Sequence, residues 1–277
     1  MPEWDFTSVS QDVARQVVDT SVAHPARMYD YYLGGKDNFA ADRAAAEAAL
    51  QVAPDMRVTA RSNRAFLGRA VRFLAQAGIK QIIDIGTGIP TAGNTHQIAQ
   101  AVDPDIRVVY VDNDAMVLAH ARALMADRSH GRTTVLQADL SEPEKILARP
   151  ELTSVIDFDE PVGVMLVAVL HFIRDSEDPG RLVRTLRDAL PPGSHLVLSH
   201  CTLDFTEEQV GEDLRGVYNR ATAPLVPRSH EEISAYFDGF DLVDPGLIHL
   251  PLWRPDMEVS RNELSRVHFY AGVGRLE

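Results

Sequence analysis

The stretch Gln81-Ile82-Ile83-Asp84-Ile85-Gly86-Thr87-Gly88-Ile89-Pro90 decides the fold of this chain. An apolar run of strand length ends there at a Gly-X-Gly turn, and a helical segment follows the turn. Glycines let a backbone approach a ligand closely, and the N–H groups at the start of the next helix can bind it. The pattern is typical of a nucleotide-binding strand, turn and helix, with Asp84 inside the strand just ahead of the turn.

Two further acidic residues follow predicted strands. Residues 106–111 are predicted to form a second strand that ends at Asp112, and residues 133–138 a third that ends at Asp139. Open α/β sheets bind their ligands at the carboxyl ends of the strands. A carboxylate after the second strand can accept two hydrogen bonds from a ribose diol, and one after the third can accept from the exocyclic amine of adenine. With Asp84, these carboxylates predict a bound adenosine.

The motifs D-I-G-T-G, V-Y-V-D-N-D and Q-A-D-L resemble, in this order, those of the class I S-adenosylmethionine-dependent methyltransferases. That resemblance covers roughly residues 57–277 and implies a Rossmann-like fold. A narrower resemblance, to the actinobacterial S-adenosyl methyltransferase family, spans nearly the whole chain. It rests on HPARMYDYYLGGKDNFAADR (residues 24–43), NRAFLGRAV, YVDNDAMVLAHARAL and the late WRP. Both resemblances imply S-adenosylmethionine as the methyl donor.

Strand and helix patterns alternate regularly after residue 56, which predicts an α/β fold with a mostly parallel sheet and helices on both faces. The resemblance implies seven strands, of which the last is antiparallel. Helices are also predicted at residues 26–33 and 39–51, and we expect them to form an N-terminal helical cap over the carboxyl edge of the sheet. The predicted units are therefore an arm and cap, residues 1–56, and a methyltransferase domain, residues 57–277.

The composition disfavours several classes of function. Among 277 residues, 40 Asp and Glu stand against 27 Lys and Arg, and the net charge of −13 disfavours nucleic acid as a partner because like charges repel. Cys201 is the single cysteine, so an internal disulfide is excluded, and no Cys/His cluster has the spacing of a metal site. No signal peptide or membrane-spanning run is evident. We expect a cytoplasmic protein that acts on a small molecule without a metal and without membrane contact.

The predicted cofactor site extends beyond the three carboxylates. The aromatic residues before Gly34 and the mobile Gly-Gly-Lys-Asp-Asn sequence favour a lid over the cofactor, although aromatic residues at helical spacing more often belong to a core. The predicted cofactor contacts are Asp84, Gly86, Thr87, Gly88, Asp112, Asn113, Asp139, Leu140, Val167, Ala168, Tyr32, Gly35 and Asn38.

Some of these acidic residues also have a purely structural explanation. Asp112 or Asp114 could cap the next helix; we assign the cap to Asp114 and the ribose to Asp112. Asp139 could likewise lie in the loop before the following helix. Ser141 and Glu144 have the spacing of a capping box, however, which would leave Asp139 free for a ligand.

The end of the fourth predicted strand, residues 162–169, is the position at which methyltransferases hold the acceptor. Leu170-His171-Phe172 resembles the leucine-histidine stretch of small-molecule O-methyltransferases, which implies His171 as the general base. The acidic residue that follows that histidine is Phe172 here, and His171 could instead only hydrogen-bond within the turn. His200 is a second candidate for the base. The predicted substrate contacts are Tyr29, Phe172, Tyr218 and Trp253.

The sequence therefore predicts methyl transfer from S-adenosylmethionine to a small molecule at oxygen or nitrogen. Two alternatives stay open. An NAD(P)-dependent oxidoreductase shares the Gly-X-Gly turn, although the third glycine of its fingerprint would fall at Thr91. A non-catalytic module that binds S-adenosylmethionine would lack an acceptor pocket, or its His171 would be buried and turned away.

Overall fold

The computed structural model of the protein describes residues 19–90, 93–125, 132–206 and 208–277. The first 18 residues of the predicted arm and cap lie outside these ranges. The described helices are α1 (Pro25–Leu33), α2 (Ala40–Val52), α3 (Met56–Gln76), α4 (Thr95–Val102), α5 (Ala115–Met125), α6 (Pro143–Leu147), α7 (Pro150–Thr153), α8 (Pro179–Asp188), α9 (Glu208–Tyr218), α10 (His230–Ser234) and α11 (Arg261–Leu264). Within these ranges, no helix combines the length and the apolarity needed to cross a membrane.

The described strands are β1 (Gln81–Ile85), β2 (Arg107–Asp112), β3 (Thr133–Gln137), β4 (Gly163–Val167), β5 (His195–Cys201), β6 (Phe240–Leu242), β7 (Ile248–His249) and β8 (Phe269–Leu276). They form one sheet in the order β3-β2-β1-β4-β5-β8-β6, and β7 pairs with β8. Strands β1 to β5 are parallel, whereas β8 runs antiparallel to β5 and β6. The predicted α/β fold with antiparallel final strands is confirmed.

The predicted number of strands is wrong, because the described sheet contains eight rather than seven. Strand β7 has two residues and pairs only with β8. So short a strand gives no alternating pattern of its own in the sequence. Strand β6 is also short, and two of its three residues are exposed.

The central strands are buried on both faces, as expected for a parallel sheet covered by helices. All five residues of β1 and of β4 are buried. Neighbouring side chains on a strand point to opposite faces. Ile82 accordingly packs in the cluster that contains residues of α3, and Ile83 in the cluster that contains residues of α8.

The predicted helical cap is formed by α1 and α2, which pack on α3 and α9. Helix α1 begins at Pro25 and ends before Gly34, whose φ of +84° is the left-handed conformation that glycine tolerates best. Arg27 of α1 is buried and forms ion pairs with Asp114 (3.2 Å), at the start of α5, and with Asp42 (3.6 Å) in α2. These pairs fix α1 over the carboxyl edge of the sheet.

Candidate functional site

A cavity of about 250 Å³ lies at the carboxyl edge of β1 to β4, beneath α1. We call it the strand-edge cavity. The switch in strand order between β2-β1 and β4 places the expected ligand crevice of a doubly wound sheet at this point. Its lining includes twelve of the predicted site residues: Tyr29, Asp84, Gly86, Thr87, Gly88, Asp112, Asn113, Asp139, Leu140, Val167, Ala168 and Phe172.

The Gly-X-Gly turn after β1 requires both of its glycines. Gly86 has a φ of +73° and Gly88 a φ of +67°, a region that residues with a Cβ rarely adopt. A Cβ on Gly86 would overlap the side chain of Val169, whereas a Cβ on Gly88 would meet no atom within 4 Å. The turn thus packs on the end of β4 at Gly86 and leaves open space at Gly88.

Asp84 is buried and connects this turn to the next helix. Its Oδ2 accepts a hydrogen bond from the Oγ1 of Thr95 (2.6 Å), at the start of α4. Burial raises the pKa of Asp84, and the nearby charge of Arg64 opposes that shift. Arg64 also lines the strand-edge cavity, so the two side chains can face opposite charges of a zwitterionic ligand.

Asp112 presents a buried carboxylate at the tip of β2. Its Oδ2 accepts the N–H of Gly88 (2.9 Å) and its Oδ1 accepts the N–H of Asp114 (3.0 Å). Burial raises the pKa of Asp112 to about 6. Asp114 accepts the N–H of Met116 (2.8 Å) and so caps α5, as we predicted. Each oxygen of Asp112 can accept a further hydrogen bond, because a carboxylate has about four lone-pair sites.

Asp139 lies exposed at the rim of the strand-edge cavity. Its Oδ1 accepts the N–H of Ser141 (2.8 Å) and its Oδ2 accepts the side-chain amide of Asn113 (3.2 Å). The predicted capping box of Ser141 and Glu144 is wrong, because α6 begins two residues after Ser141 and Glu144 pairs with Arg181 (2.7 Å) instead. Asp139 therefore shapes its own loop while it lines the cavity.

A second cavity, of about 340 Å³, adjoins the first. We call it the aromatic cavity, because Tyr32, Phe172, Tyr218 and Phe269 line it. The two cavities share the lining residues Pro25, Tyr29, Asn63, Ala168 and Phe172. A ligand in the strand-edge cavity therefore meets a ligand in the aromatic cavity at this common wall.

Ala168 occupies this wall in a left-handed conformation, with a φ of +56°. Such a φ is uncommon for a residue with a Cβ and is often held at functional sites by surrounding structure. Here the N–H of Ala168 donates to the Oγ of Ser199 (3.0 Å), and that Oγ donates to the side chain of Asn63 (2.6 Å). The conformation ends β4 two residues earlier than we predicted and directs the chain toward His171.

His171 lines the aromatic cavity, but its geometry does not favour the predicted role of general base. Its Nδ1 accepts the N–H of Cys201 (3.3 Å), which leaves the proton of the neutral ring on Nε2. Burial, and then the nearby His200 and Arg228, lower the pKa of His171 well below its ordinary value. The ring therefore presents a donor rather than a free lone pair.

His200, the second candidate for the base, has both ring nitrogens occupied. Its Nδ1 lies 2.7 Å from the carbonyl oxygen of Cys201 and its Nε2 lies 3.1 Å from the guanidinium of Arg228. Burial lowers the pKa of His200 to about 3. The residue stabilises the turn behind His171 and does not line either cavity.

We predicted that Tyr32 contacts the cofactor, but its side chain lines the aromatic cavity and does not line the strand-edge cavity. Its hydroxyl lies 3.2 Å from the hydroxyl of Tyr218, and both side chains are buried. Burial raises the pKa of Tyr32 to about 12 and that of Tyr218 well above its ordinary value. Both phenols are therefore neutral at physiological pH.

Three predicted contacts line neither cavity. Asn38 donates to Asp30 (2.8 Å), and a Cβ on Gly35 would overlap the carboxylate of Asp30, so both residues close the end of α1 instead of covering a cofactor. Trp253 is fully buried with its ring edge-on to Phe66, at a centroid distance of 5.3 Å. Tertiary packing determines where these three residues lie, and their local sequence does not predict it.

Sequence reasoning missed His24 and Asn63 as residues of the site. His24 lines the strand-edge cavity, and its Nδ1 lies 3.3 Å from Asp114. Asn63 donates to the hydroxyl of Tyr29 (3.0 Å) and lines both cavities. A signal was present, because Asn63 is a polar residue that lies beside the apolar positions Phe66 and Leu67 on the buried face of α3.

Comparison with known proteins places the chain in a family. The profile of the S-adenosyl methyltransferase family matches residues 11–277. The chain is similar to a crystal structure of a DUF574 family protein from Streptomyces avermitilis, with 41% identity, a TM-score of 0.88 and coverage of 94% of this chain and 100% of that chain. It is also similar to a crystal structure of a candidate methyltransferase from Thermobifida fusca, with 42% identity, a TM-score of 0.88 and coverage of 96% of this chain and 99% of that chain.

The chain is more distantly similar to an O-methyltransferase family protein from Burkholderia thailandensis, with 15% identity, a TM-score of 0.51 and coverage of 80% of this chain and 60% of that chain. This similarity shows the fold alone. No curated protein matches the chain. The strand-edge cavity fits the methyl donor, since the open space at Gly88 adjoins the buried carboxylate of Asp112 at the tip of β2. The chain belongs to the S-adenosyl methyltransferase family and is an enzyme that uses S-adenosylmethionine as its methyl donor.

Proposed function

We propose that this enzyme transfers the methyl group to a small molecule, at an oxygen or a nitrogen atom, and that the aromatic cavity holds this acceptor. The observation that carries the proposal is the wall that the two cavities share at Ala168 and Phe172. A reaction between two bound molecules needs their reacting atoms in line and about 3–3.5 Å apart. Two cavities with a common wall support that arrangement, because they would hold the donor and the acceptor side by side.

The residues of the strand-edge cavity hold the donor. Asp112 accepts hydrogen bonds from the ribose hydroxyls, and Asp139 with Leu140 flanks the adenine. Asp84 and Arg64 face the amino acid end of the donor, the carboxylate toward its ammonium and the guanidinium toward its carboxylate. When bound, the donor supplies a methyl group on a positively charged sulfur, and alignment contributes most of the rate enhancement.

The residues of the aromatic cavity hold the acceptor. Phe172 and Tyr218 lie with ring centroids 6.0 Å apart and form one side of the space, and Tyr29 lies at the shared wall. His171 donates from Nε2 to a lone pair of the acceptor and orients it. The lone pair of an uncharged nitrogen or hydroxyl oxygen attacks the methyl carbon, and the carbon–sulfur bond breaks to leave a neutral thioether. The methylated atom then loses its proton to solvent at the mouth of the cavity, so the step needs no protein base.

For a non-catalytic module we expected no acceptor pocket, or a His171 that is buried and turned away. The aromatic cavity argues against such a module, because His171, although buried, lines it. The cap also supports a small acceptor, since α1 covers the carboxyl edge and leaves little room for a polymer. We propose the same division as from the sequence, into an arm and cap, residues 1–56, and a methyltransferase domain, residues 57–277; the start of α3 at Met56 is compatible with it.

The proposal is tested by incubating the enzyme with methyl-labelled S-adenosylmethionine and a bacterial cell extract that ultrafiltration has separated into small molecules and macromolecules. We expect label in the small-molecule fraction, and mass spectrometry with NMR of the labelled product identifies the methylated atom. Label confined to protein or nucleic acid would contradict a small acceptor. A product methylated at carbon or sulfur would contradict the assignment to oxygen or nitrogen.

A further inference from the structure

We propose that the aromatic cavity binds an uncharged, mostly apolar acceptor with rings and at least one oxygen, and that this acceptor enters through its own mouth, away from the mouth of the strand-edge cavity. The inference rests on the proposed function, that the enzyme methylates a small molecule. It adds the chemical class of the acceptor and its route into the site.

The charges of the lining carry the first part of the inference. Among the described residues that line the aromatic cavity, Asp55 is the only one with a formal charge, and it forms an ion pair with Arg266. His171 and His268 line it as neutral rings, because burial lowers the pKa of both. A charged acceptor would lose its hydration, and no side chain of the described lining would offer it a free opposite charge, which disfavours its binding.

Among the polar residues that line the cavity, those that lie between its aromatic rings indicate what the acceptor carries. The hydroxyls of Tyr32 and Tyr218 share one hydrogen bond, so one of the two protons stays available to a ligand. His171 offers a second donor from Nε2. Two donors among aromatic walls suit a ligand with a carbonyl, ether or hydroxyl oxygen on a ring system.

The exposure of the lining residues carries the second part. The aromatic cavity reaches exposed residues at Pro54, Phe205 and Ser265, and Phe205 is 39% exposed although it is apolar. The strand-edge cavity reaches the surface elsewhere, beside Asn113 and Asp139. The residues that both cavities share are buried or half-buried. The acceptor and its methylated product can therefore exchange while the nucleoside stays bound.

The chemical class is tested with two probes that have the same ring system, 2-naphthol and 2-naphthoate. Each is titrated calorimetrically into the full-length enzyme that is saturated with S-adenosylhomocysteine. We expect 2-naphthol to bind, and we expect the affinity for 2-naphthoate to be lower by about tenfold or more, because only 2-naphthoate buries a charge. Equal or tighter binding of 2-naphthoate, or no binding of 2-naphthol, would overturn the inference.

The route is tested by narrowing the mouth. Ala53 is half-buried, lines the aromatic cavity at the end of α2 and lies next to Pro54. Ala53→Trp should lower the affinity or the association rate of 2-naphthol about tenfold or more, and it should leave the affinity for S-adenosylhomocysteine within about twofold of the parent. Ala44→Trp, at an exposed position of the same helix, is the matched control.

Binding of S-adenosylhomocysteine also shows that each variant is folded. If Ala53→Trp does not fold, Ser265→Trp narrows the same mouth from an exposed position on its other side. The separate route would be overturned if the narrowed mouth left the affinity and the association rate of 2-naphthol unchanged. It would also be overturned if the affinities for 2-naphthol and for S-adenosylhomocysteine fell equally. A charged small molecule labelled in the extract experiment would also overturn the inference but leave the proposed function standing, whereas label confined to macromolecules would overturn the proposed function itself.

Discussion

Asp112 combines two backbone hydrogen bonds with a position in the wall of the strand-edge cavity. Asp112→Asn keeps the shape of the side chain but removes its charge and one of its acceptor oxygens. Hydrogen bonds to charged groups contribute about 1.5–3 kcal/mol each, so we expect the affinity for S-adenosylhomocysteine to fall about tenfold or more. Calorimetric titration measures this, with the exposed Asp159→Asn as the matched control. Equal affinities of the parent and Asp112→Asn would contradict the ribose assignment.

The same residue predicts a dependence on pH. Ribose hydroxyls donate to the ionised carboxylate, and burial raises the pKa of Asp112 to about 6. The affinity for S-adenosylhomocysteine should therefore rise about tenfold from about pH 5 to about pH 7, and Asp112→Asn should lose this rise. Affinities of the parent that do not change over this range would contradict the prediction.

The contribution of Asp112 to the stability of the unliganded fold depends on pH in the opposite direction from the ligand affinity: it falls as the pH rises. The pKa of the folded state lies above the unfolded value of about 3.9, so the folded state binds this proton more tightly. The contribution is present in full below about pH 4 and is lost as the pH rises through about 6.

Gly86 and Gly216 provide a matched pair for the turn after β1. Gly86→Ala forces a Cβ into a φ of +73° and against Val169, so we expect it to destabilise the fold by about 1–3 kcal/mol and to lower the affinity for S-adenosylhomocysteine. Gly216 lies exposed in α9 with no atom near its added Cβ. Gly216→Ala should stabilise the fold by up to about 1 kcal/mol. Denaturant unfolding measures both, and equal effects of the two substitutions would show that the turn is not constrained.

At the scale of elements, the docking of α1 depends on Arg27 and its two carboxylate partners. Arg27→Met leaves Asp42 and Asp114 buried without this cation, which should cost about 3–5 kcal/mol of unfolding free energy. The exposed pair of Arg72 and Asp256 is the control, since Arg72→Met should cost about 0–1 kcal/mol. Denaturant unfolding compares the two variants. A loss no larger for Arg27→Met than for Arg72→Met would contradict the role of this pair.

The elements with strong periodic patterns could be predicted from the sequence, and the weak ones could not. Strand β1 contains three isoleucines among its five residues and is closed by glycine, and its predicted limits match the structure. Strand β4 ends before its predicted limit because Ala168 adopts a left-handed φ, which no local sequence pattern predicts. The loop at Gly35 has the composition of a lid, but Asp30 holds it by hydrogen bonds that depend on the packing of α1.

At the scale of the whole molecule, the sequence predicts what lies along one edge of the sheet better than what meets across the chain. The residues of the three motifs gather in the strand-edge cavity because the carboxyl ends of parallel strands must lie together. The aromatic cavity instead joins Tyr32 to Tyr218, which are 186 residues apart, and Asn63 to Ser199. Such contacts depend on how α3 and α9 pack under the cap, which periodicity does not encode.

A crystal structure of the enzyme with S-adenosylhomocysteine bound tests the central claim most directly. We expect the ribose within hydrogen-bond distance of Asp112, the adenine beside Asp139 and Leu140, and the sulfur directed past Ala168 into the aromatic cavity. A nucleoside bound elsewhere, or one whose sulfur points away from the aromatic cavity, would contradict the claim that the two adjoining cavities hold the donor and the acceptor of one methyl transfer.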